Sequence, residues 1–229
     1  MTNRAARVLW GVLAAVVVLS VLTEFGRSLS GANLLVPTED PGTGTRVVRF
    51  WSYFTIQSNV LVLLSVLPLV RDPQHDGRWW RPLRLTALLG ITVTGLVYAV
   101  VLAPLQHPTG LGAVTNAGLH YVAPPLALLG WLVLGPRPRA TWATVGWAMV
   151  WPLAWIAYTL VHGAVSGWYP YPFLDVGELG YAVALRNTGL VAVLALVLLS
   201  LFRLLDRRLP ATDPRPAVTD PGAPVTDRR

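Results

Sequence analysis

The 229-residue chain contains no cysteine and no lysine. Without cysteine there are no disulfides, thiolate metal sites or thiol nucleophiles. Charge is also scarce: only 13% of residues are Asp, Glu or Arg, while 54% are hydrophobic, and the mean hydropathy is +0.54. A soluble domain of this length needs far more charge on its surface, so the bilayer is the natural solvent. The formal net charge is +7, with arginine supplying every basic side chain. Those arginines are scattered between apolar runs rather than gathered in one patch. They read as charges that orient helices in a membrane, and nucleic acid is not expected as a partner.

A membrane-crossing helix needs about 20 predominantly apolar residues. Six stretches qualify, roughly Ala6–Thr23, Phe50–Val70, Leu83–Ala103, Thr115–Leu134, Trp142–His162 and Tyr181–Leu204. The first resembles a signal-peptide core, with Arg4 and Arg7 before it, but no clean Ala-x-Ala site follows and Glu24 ends it. It is read as a retained helix. The expectation is an all-α polytopic membrane protein with a single six-helix transmembrane domain over residues 1–209. The Pro- and charge-rich segment 210–229 cannot bury apolar surface and is expected to be a disordered cytoplasmic tail.

Arginine placement predicts the orientation. Arg4 and Arg7 precede the first span. Arg71, Arg78, Arg81 and Arg84 flank the second connection, Arg137 and Arg139 the fourth, and Arg203, Arg207 and Arg208 close the last span. On the opposite side the first loop carries Arg27, Arg46 and Arg49, while 104–114 and 163–180 carry none. The positive-inside rule then puts both termini in the cytoplasm, as an even number of spans requires.

Polar side chains inside such spans are costly and are candidates for function by default. With this topology they share one depth. Ser52, Thr55, Gln57, Ser58 and Asn59 fall in the outer half of span 2, Thr94 and Tyr98 in that of span 3, and Asn116 and His120 in that of span 4. Tyr158 and His162 end span 5, and Arg186 and Asn187 open span 6. The inner halves are nearly all apolar. A single layer suits a site acting on a substrate in or near one leaflet, and it argues against a solute path across the membrane. Packing by interhelical hydrogen bonds is the alternative for any one Ser, Thr or Asn, and Arg186 has Glu24, Asp175 or Glu178 as candidate partners.

Residues three or four apart share a helix face. Ser52, Thr55 and Asn59 therefore form one predicted stripe, and Asn116, His120 and Pro124 another. Pro124 lacks an N–H and clashes with the carbonyl four residues back, that of His120, so a kink is expected there. Irregular backbone at membrane depth is tolerated only inside protein or beside a watery cavity, which argues that His120 lines a cavity; the alternative is an ordinary proline kink with a packed histidine. A hydroxyl and an imidazole are a minimal nucleophile and base, with Thr55 attacking a carbonyl and His120 taking its proton. His162 is a rival base at the end of an aromatic stripe.

Three segments, FWSYFTIQSNVLV (Phe50–Val62), NAGLHYVAPPLALLGW (Asn116–Trp131) and SGWYPYPFLDVGELGY (Ser166–Tyr181), resemble the bacterial six-helix membrane proteins of the Pr6Pr family. That family is itself similar to the eukaryotic androgen-induced, FAR-17a-like membrane proteins. The bacterial resemblance covers roughly Arg7 to Arg208, the eukaryotic one only the three motifs, with Tyr171–Leu174 the most recognisable. The eukaryotic members are membrane hydrolases of fatty-acid esters of hydroxy fatty acids that use a threonine and a histidine, which match Thr55 and His120 here.

The resemblance implies a lipid-ester hydrolase in a bacterial plasma membrane, acting on a fatty-acyl ester. Asn59, Tyr98, Asn116 and Arg186 are candidates for orienting the substrate or stabilising an oxyanion. No metal or other cofactor is expected, since no tight His/Asp/Glu ligand set is present. The alternative is a non-catalytic lipid- or partner-binding membrane protein whose aromatic loop Trp168–Phe173 is the recognition surface. A Thr55–His120 separation wider than one bridging water would favour it.

Overall fold

A computed structural model describes residues 3–31 and 41–212; the segment 213–229, which holds most of the expected tail, lies outside the described residues. Among the described residues there are helices and loops and no strand. The helices are α1 (Asn3–Leu29), α2 (Gly42–Ser52), α3 (Phe54–Arg71), α4 (Trp80–Val97), α5 (Gly110–Ala117), α6 (Ala123–Leu134), α7 (Trp142–Ser166) and α8 (Val176–Arg208). One π-helical turn, Tyr98–Leu102, extends α4, and another, Gly118–Val122, joins α5 to α6. Six spans are long and apolar enough to cross a membrane: α1, α3, α4 with its extension to Leu105, α5 through α6, α7 and α8. The chain is a multi-pass membrane protein.

The central element is α4. In its most apolar stretch 61% of residues are buried, against 22% in α8. On one side of it α1, α3 and α6 enclose Trp10, Leu13, Val17, Val66, Leu69 and Ala127. On the other side α6, α7 and α8 close over Leu88, Leu89, Trp131, Leu199 and Phe202. Lipid tails are as apolar as leucine, so close packing rather than water exclusion holds such helices together. Small residues allow the approach. A Cβ on Gly95 of α4 would lie 2.9 Å from the Pro124 ring of α6, and one on Gly130 would lie 2.7 Å from the Trp10 indole of α1.

Three boundaries differ from the sequence reading. The second span does not begin at Phe50: the chain breaks at Tyr53 (φ −66°, ψ 125°), so Gly42–Ser52 is a separate helix and Phe54 starts the span. The last span starts earlier than expected, at Val176, and bends at Gly180, where φ is +73°. Finally, the described chain holds position three residues past 209. Thr212 accepts from the Arg137 amide through Oγ1 (3.0 Å) and from Gln74 through its carbonyl (3.2 Å).

Candidate active site

The break at Tyr53 creates the site. The first N–H groups of a helix have no partner within it. Here the Ile56 and Gln57 amides reach back to the Tyr53 carbonyl, at 3.1 and 3.2 Å, and no side chain of the preceding turn caps the helix. Thr55 is the second residue of α3, and its amide donates to the phenol oxygen of Tyr171 at 3.2 Å. The Phe54 amide faces the same oxygen. Tyr171 therefore caps α3 from 116 residues away, from the loop between α7 and α8.

The Thr55 hydroxyl and the His120 imidazole meet at 3.2 Å (Oγ1 to Nε2). The other ring nitrogen, Nδ1, lies 3.1 Å from the Asn116 backbone carbonyl. A carbonyl can only accept, so Nδ1 carries the proton and neutral His120 presents a bare Nε2. The Thr55 O–H then donates to Nε2. That is the polarity a nucleophile and base require, at the long end of hydrogen-bond reach.

His120 lies in one π-helical turn and stacks on Tyr98, which begins the other, with centroids 3.9 Å apart and planes 22° apart. Such single turns recur at functional sites because they re-aim side chains. The kink expected from Pro124 takes this form, and Pro124 sits just beyond it against Gly95. Asn116 Nδ2 donates to the Tyr98 hydroxyl at 2.6 Å. Asn59, one turn after Thr55, donates to the Thr55 carbonyl (2.9 Å) and the Leu119 carbonyl (3.4 Å), tying α3 to the His120 turn. The structure thus brings together Thr55, His120, Asn59, Asn116 and Tyr98.

It does not bring in Arg186. That side chain is exposed on α8 and donates to Asn187 Oδ1 at 3.3 Å. Of its three candidate partners, Glu24 is fully buried, accepts from Thr115 at 2.6 Å and pairs with Arg27 at 3.3 Å, and Asp175 Oδ1 accepts the Gly177 and Glu178 amides. Ser52 leaves the Thr55 stripe because it belongs to α2, where its hydroxyl meets Tyr158 at 2.7 Å. His162 packs instead against Tyr158 and Trp168, with ring centroids 5.4 and 5.9 Å away. Ser166, one turn on, commits its hydroxyl proton to the His162 carbonyl at 2.7 Å.

Tyr171 is the functional side chain that sequence reasoning left without a role beyond an interfacial loop. Its hydroxyl is 3.4 Å from Thr55 Oγ1, too long for a strong bond, so the phenol proton is loosely held. Burial pushes the Tyr171 phenol above its ordinary range, and the hydrogen bonds from Thr55 and Phe54 only partly oppose this, so it is neutral at physiological pH. The Thr55 amide is committed to the Tyr171 oxygen, which leaves the Tyr171 hydroxyl as the donor beside Thr55 Oγ1, at the positive end of a helix dipole.

Two cavities meet at this point. The larger, about 750 Å³ of empty space counted to its open mouth, runs from Thr55, Tyr98 and Tyr171 between α4, α7 and α8. Its walls are apolar, among them Leu89, Val93, Trp155 and Val191, and Leu153 on its wall is half exposed. The smaller, about 350 Å³ counted in the same way, lies on the His120 side and is lined by Tyr53, Leu102, Gln106 and Leu119. Thr55, Tyr98, Leu102 and Tyr171 belong to both.

Comparison of the chain with protein-family models, curated proteins and solved structures finds no match. Fold and site geometry define a six-span membrane protein with a hydroxyl–imidazole pair at the junction of two cavities.

Proposed function

We propose that the protein is a membrane-embedded hydrolase of lipid esters, with Thr55 as nucleophile and His120 as general base. The observation that carries this reading is the 3.2 Å contact between Thr55 Oγ1 and His120 Nε2, with the tautomer set by the Asn116 carbonyl. The likeness of the three motifs to the Pr6Pr and androgen-induced-like families supports it. So does a long apolar cavity ending at the nucleophile, which suits a fatty-acyl chain arriving sideways from lipid.

An ester carbonyl carbon placed at Oγ1 is attacked as the Thr55 proton passes to Nε2. The carbonyl oxygen becomes an oxyanion that the Tyr171 hydroxyl, held in place by the Thr55 amide, stabilises. The ester C–O bond breaks, the imidazolium returns its proton to the departing alkoxide, and the acyl group stays on Thr55. Water, deprotonated by His120, then releases the fatty acid. While charged, the imidazolium lies against the Tyr98 ring face, a favourable cation–π placement. The arginine distribution supports an orientation with both termini cytoplasmic and this layer in the outer half of the membrane, and the family likeness supports a bacterial plasma membrane.

The test is labelling of the purified protein with a fluorophosphonate probe, read by peptide mass spectrometry. Wild type is expected to carry an adduct on Thr55. His120→Ala is expected to label at least about 100-fold more slowly, the scale of a lost general base. Absence of adduct and of ester turnover across acyl lengths, in protein shown to be folded, would overturn the proposal and favour lipid or partner binding without chemistry.

A further inference from the structure

At the end of the bundle remote from Thr55, a third cavity, about 330 Å³ of empty space counted to its open mouth, is lined by Trp80, Arg81, Arg84, Trp131, Arg139 and Asp206, among others. Its charges are mostly accounted for. Asp76 is gripped by Arg81 through Nε and Nη2, each at 2.7 Å, and by Arg139 at 3.3 Å. Asp206 Oδ2 accepts the backbone amides of Arg139 and Ala140, each at 2.7 Å.

Arg84 is the exception. It is only 5% exposed, one turn into α4, and no carboxylate pairs with it among the described residues. Nη1 donates to Ser65 Oγ at 3.3 Å, and the guanidinium lies 4.7 Å over the Trp10 ring. Nε and Nη2 find no hydrogen-bond partner among the described residues. A buried charge left unpaired costs several kcal/mol, roughly, unless something meets it. The two unused nitrogens form the same side-on edge with which Arg81 holds Asp76. Two parallel N–H donors on that edge match two oxygens of one phosphate.

We propose that this cavity binds a phosphate group through the Nε/Nη2 edge of Arg84, with the indoles of Trp80 and Trp131 flanking it. Two sources share this chemistry: the phosphodiester headgroup of an anionic phospholipid, and free phosphate. The depth suits a headgroup, since Arg84 is one turn inside the span and basic pockets between helices at the arginine-rich face bind such groups.

The experiment measures thermal unfolding of the full chain in detergent in two arms. One exchanges sodium chloride for sodium phosphate at equal ionic strength. The other exchanges phosphatidylcholine for phosphatidylglycerol in the micelle. The unfolding midpoint of wild type is expected to rise in at least one arm, as ligand binding to the folded state requires. A rise with phosphate alone identifies a soluble anion, and a rise with phosphatidylglycerol alone identifies the lipid headgroup. Arg84→Met, which removes an unpaired charge, should be no less stable than wild type without anion and should lose the rise. If Arg84→Met does not fold, Arg84→Lys serves instead. It keeps the charge but not the two-pronged edge, and is expected to bind about tenfold more weakly. No rise in either arm, or a rise that survives loss of the guanidinium, overturns the proposal. None of these readouts depends on Thr55 or His120.

Discussion

The two ends of this bundle solve opposite problems with different chemistry. At the arginine-rich end, full charges fasten loops to helix ends. Asp76 holds Arg81 and Arg139, Asp206 holds the Arg139 and Ala140 amides, and Arg137 donates to the Leu132 carbonyl at 2.7 Å and the Pro210 carbonyl at 3.4 Å. At the Thr55 end, the central contacts are neutral: a hydroxyl, an imidazole, two phenols and two carboxamides, with no carboxylate touching Thr55 or His120 among the described residues. Ion pairs in a low dielectric are strong when complete and costly when broken, which suits a fixed joint. Neutral groups beside open cavities keep proton positions adjustable, which suits a site where a proton must move.

The largest test of this contrast removes a charge from the joint. Asp206 is 3% exposed, and one oxygen serves two amides. Asp206→Asn leaves those amides a weaker acceptor and uncovers the Arg137 and Arg139 charges. The expected loss is about 3 kcal/mol, two hydrogen bonds to a charged acceptor at roughly 1.5 kcal/mol each, in reversible unfolding by sodium dodecyl sulfate titration. Folded Asp206→Asn should label at Thr55 at the wild-type rate. A slowed rate in the folded fraction would mean that the two ends are coupled.

The next effect probes the neutral end. Tyr171→Phe keeps the ring that packs against Tyr53, Trp155 and Phe173 but deletes the hydroxyl facing the Thr55 amide. If that hydroxyl is an oxyanion donor, ester turnover should fall about 100-fold with KM little changed, the usual cost of losing one such donor. If it only caps α3, unfolding should shift by about 1–3 kcal/mol while turnover per folded molecule holds. Kinetics and stability measured on the same preparation separate the two roles.

Much of this arrangement was legible in the sequence, and the remainder has physical reasons for being hidden. Six apolar runs of bilayer length are enough for six spans, and a shared depth together with the motif resemblance singled out Thr55 and His120. Pro124 announced irregular backbone near His120. The break at Tyr53 had no such signal: FWSYFT contains neither glycine nor proline, and the group that caps α3 comes from Tyr171, far along the chain. Arg186 was drawn toward the site by its depth alone. Depth does not say which way a helix face points, and α8, bent at Gly180 and loosely packed, turns Arg186 outward. Arg84 looked like one more orienting arginine, because a missing partner is visible only in three dimensions.

The smallest effect concerns pH at the charged end. Burial pushes the Asp76 carboxyl up, but the two-pronged bond from Arg81, the Arg139 charge and the Gly77 amide outweigh it and hold the group below its ordinary value of 3.8. A carboxyl that is more acidic in the folded state stabilises folding at all pH values above its unfolded value. That contribution fades as pH falls through the depressed folded value. The difference in unfolding midpoint between wild type and Asp76→Asn should therefore be constant from pH 7 down to about 5 and shrink below about 4. Part of Asp76 and of Arg81 is open to solvent, so the difference should also shrink in high salt. Persistence of the full difference at pH 3 would mean that the Asp76 loop is held by hydrogen-bond shape rather than charge, and the contrast between the two ends would then rest on Asp206 alone.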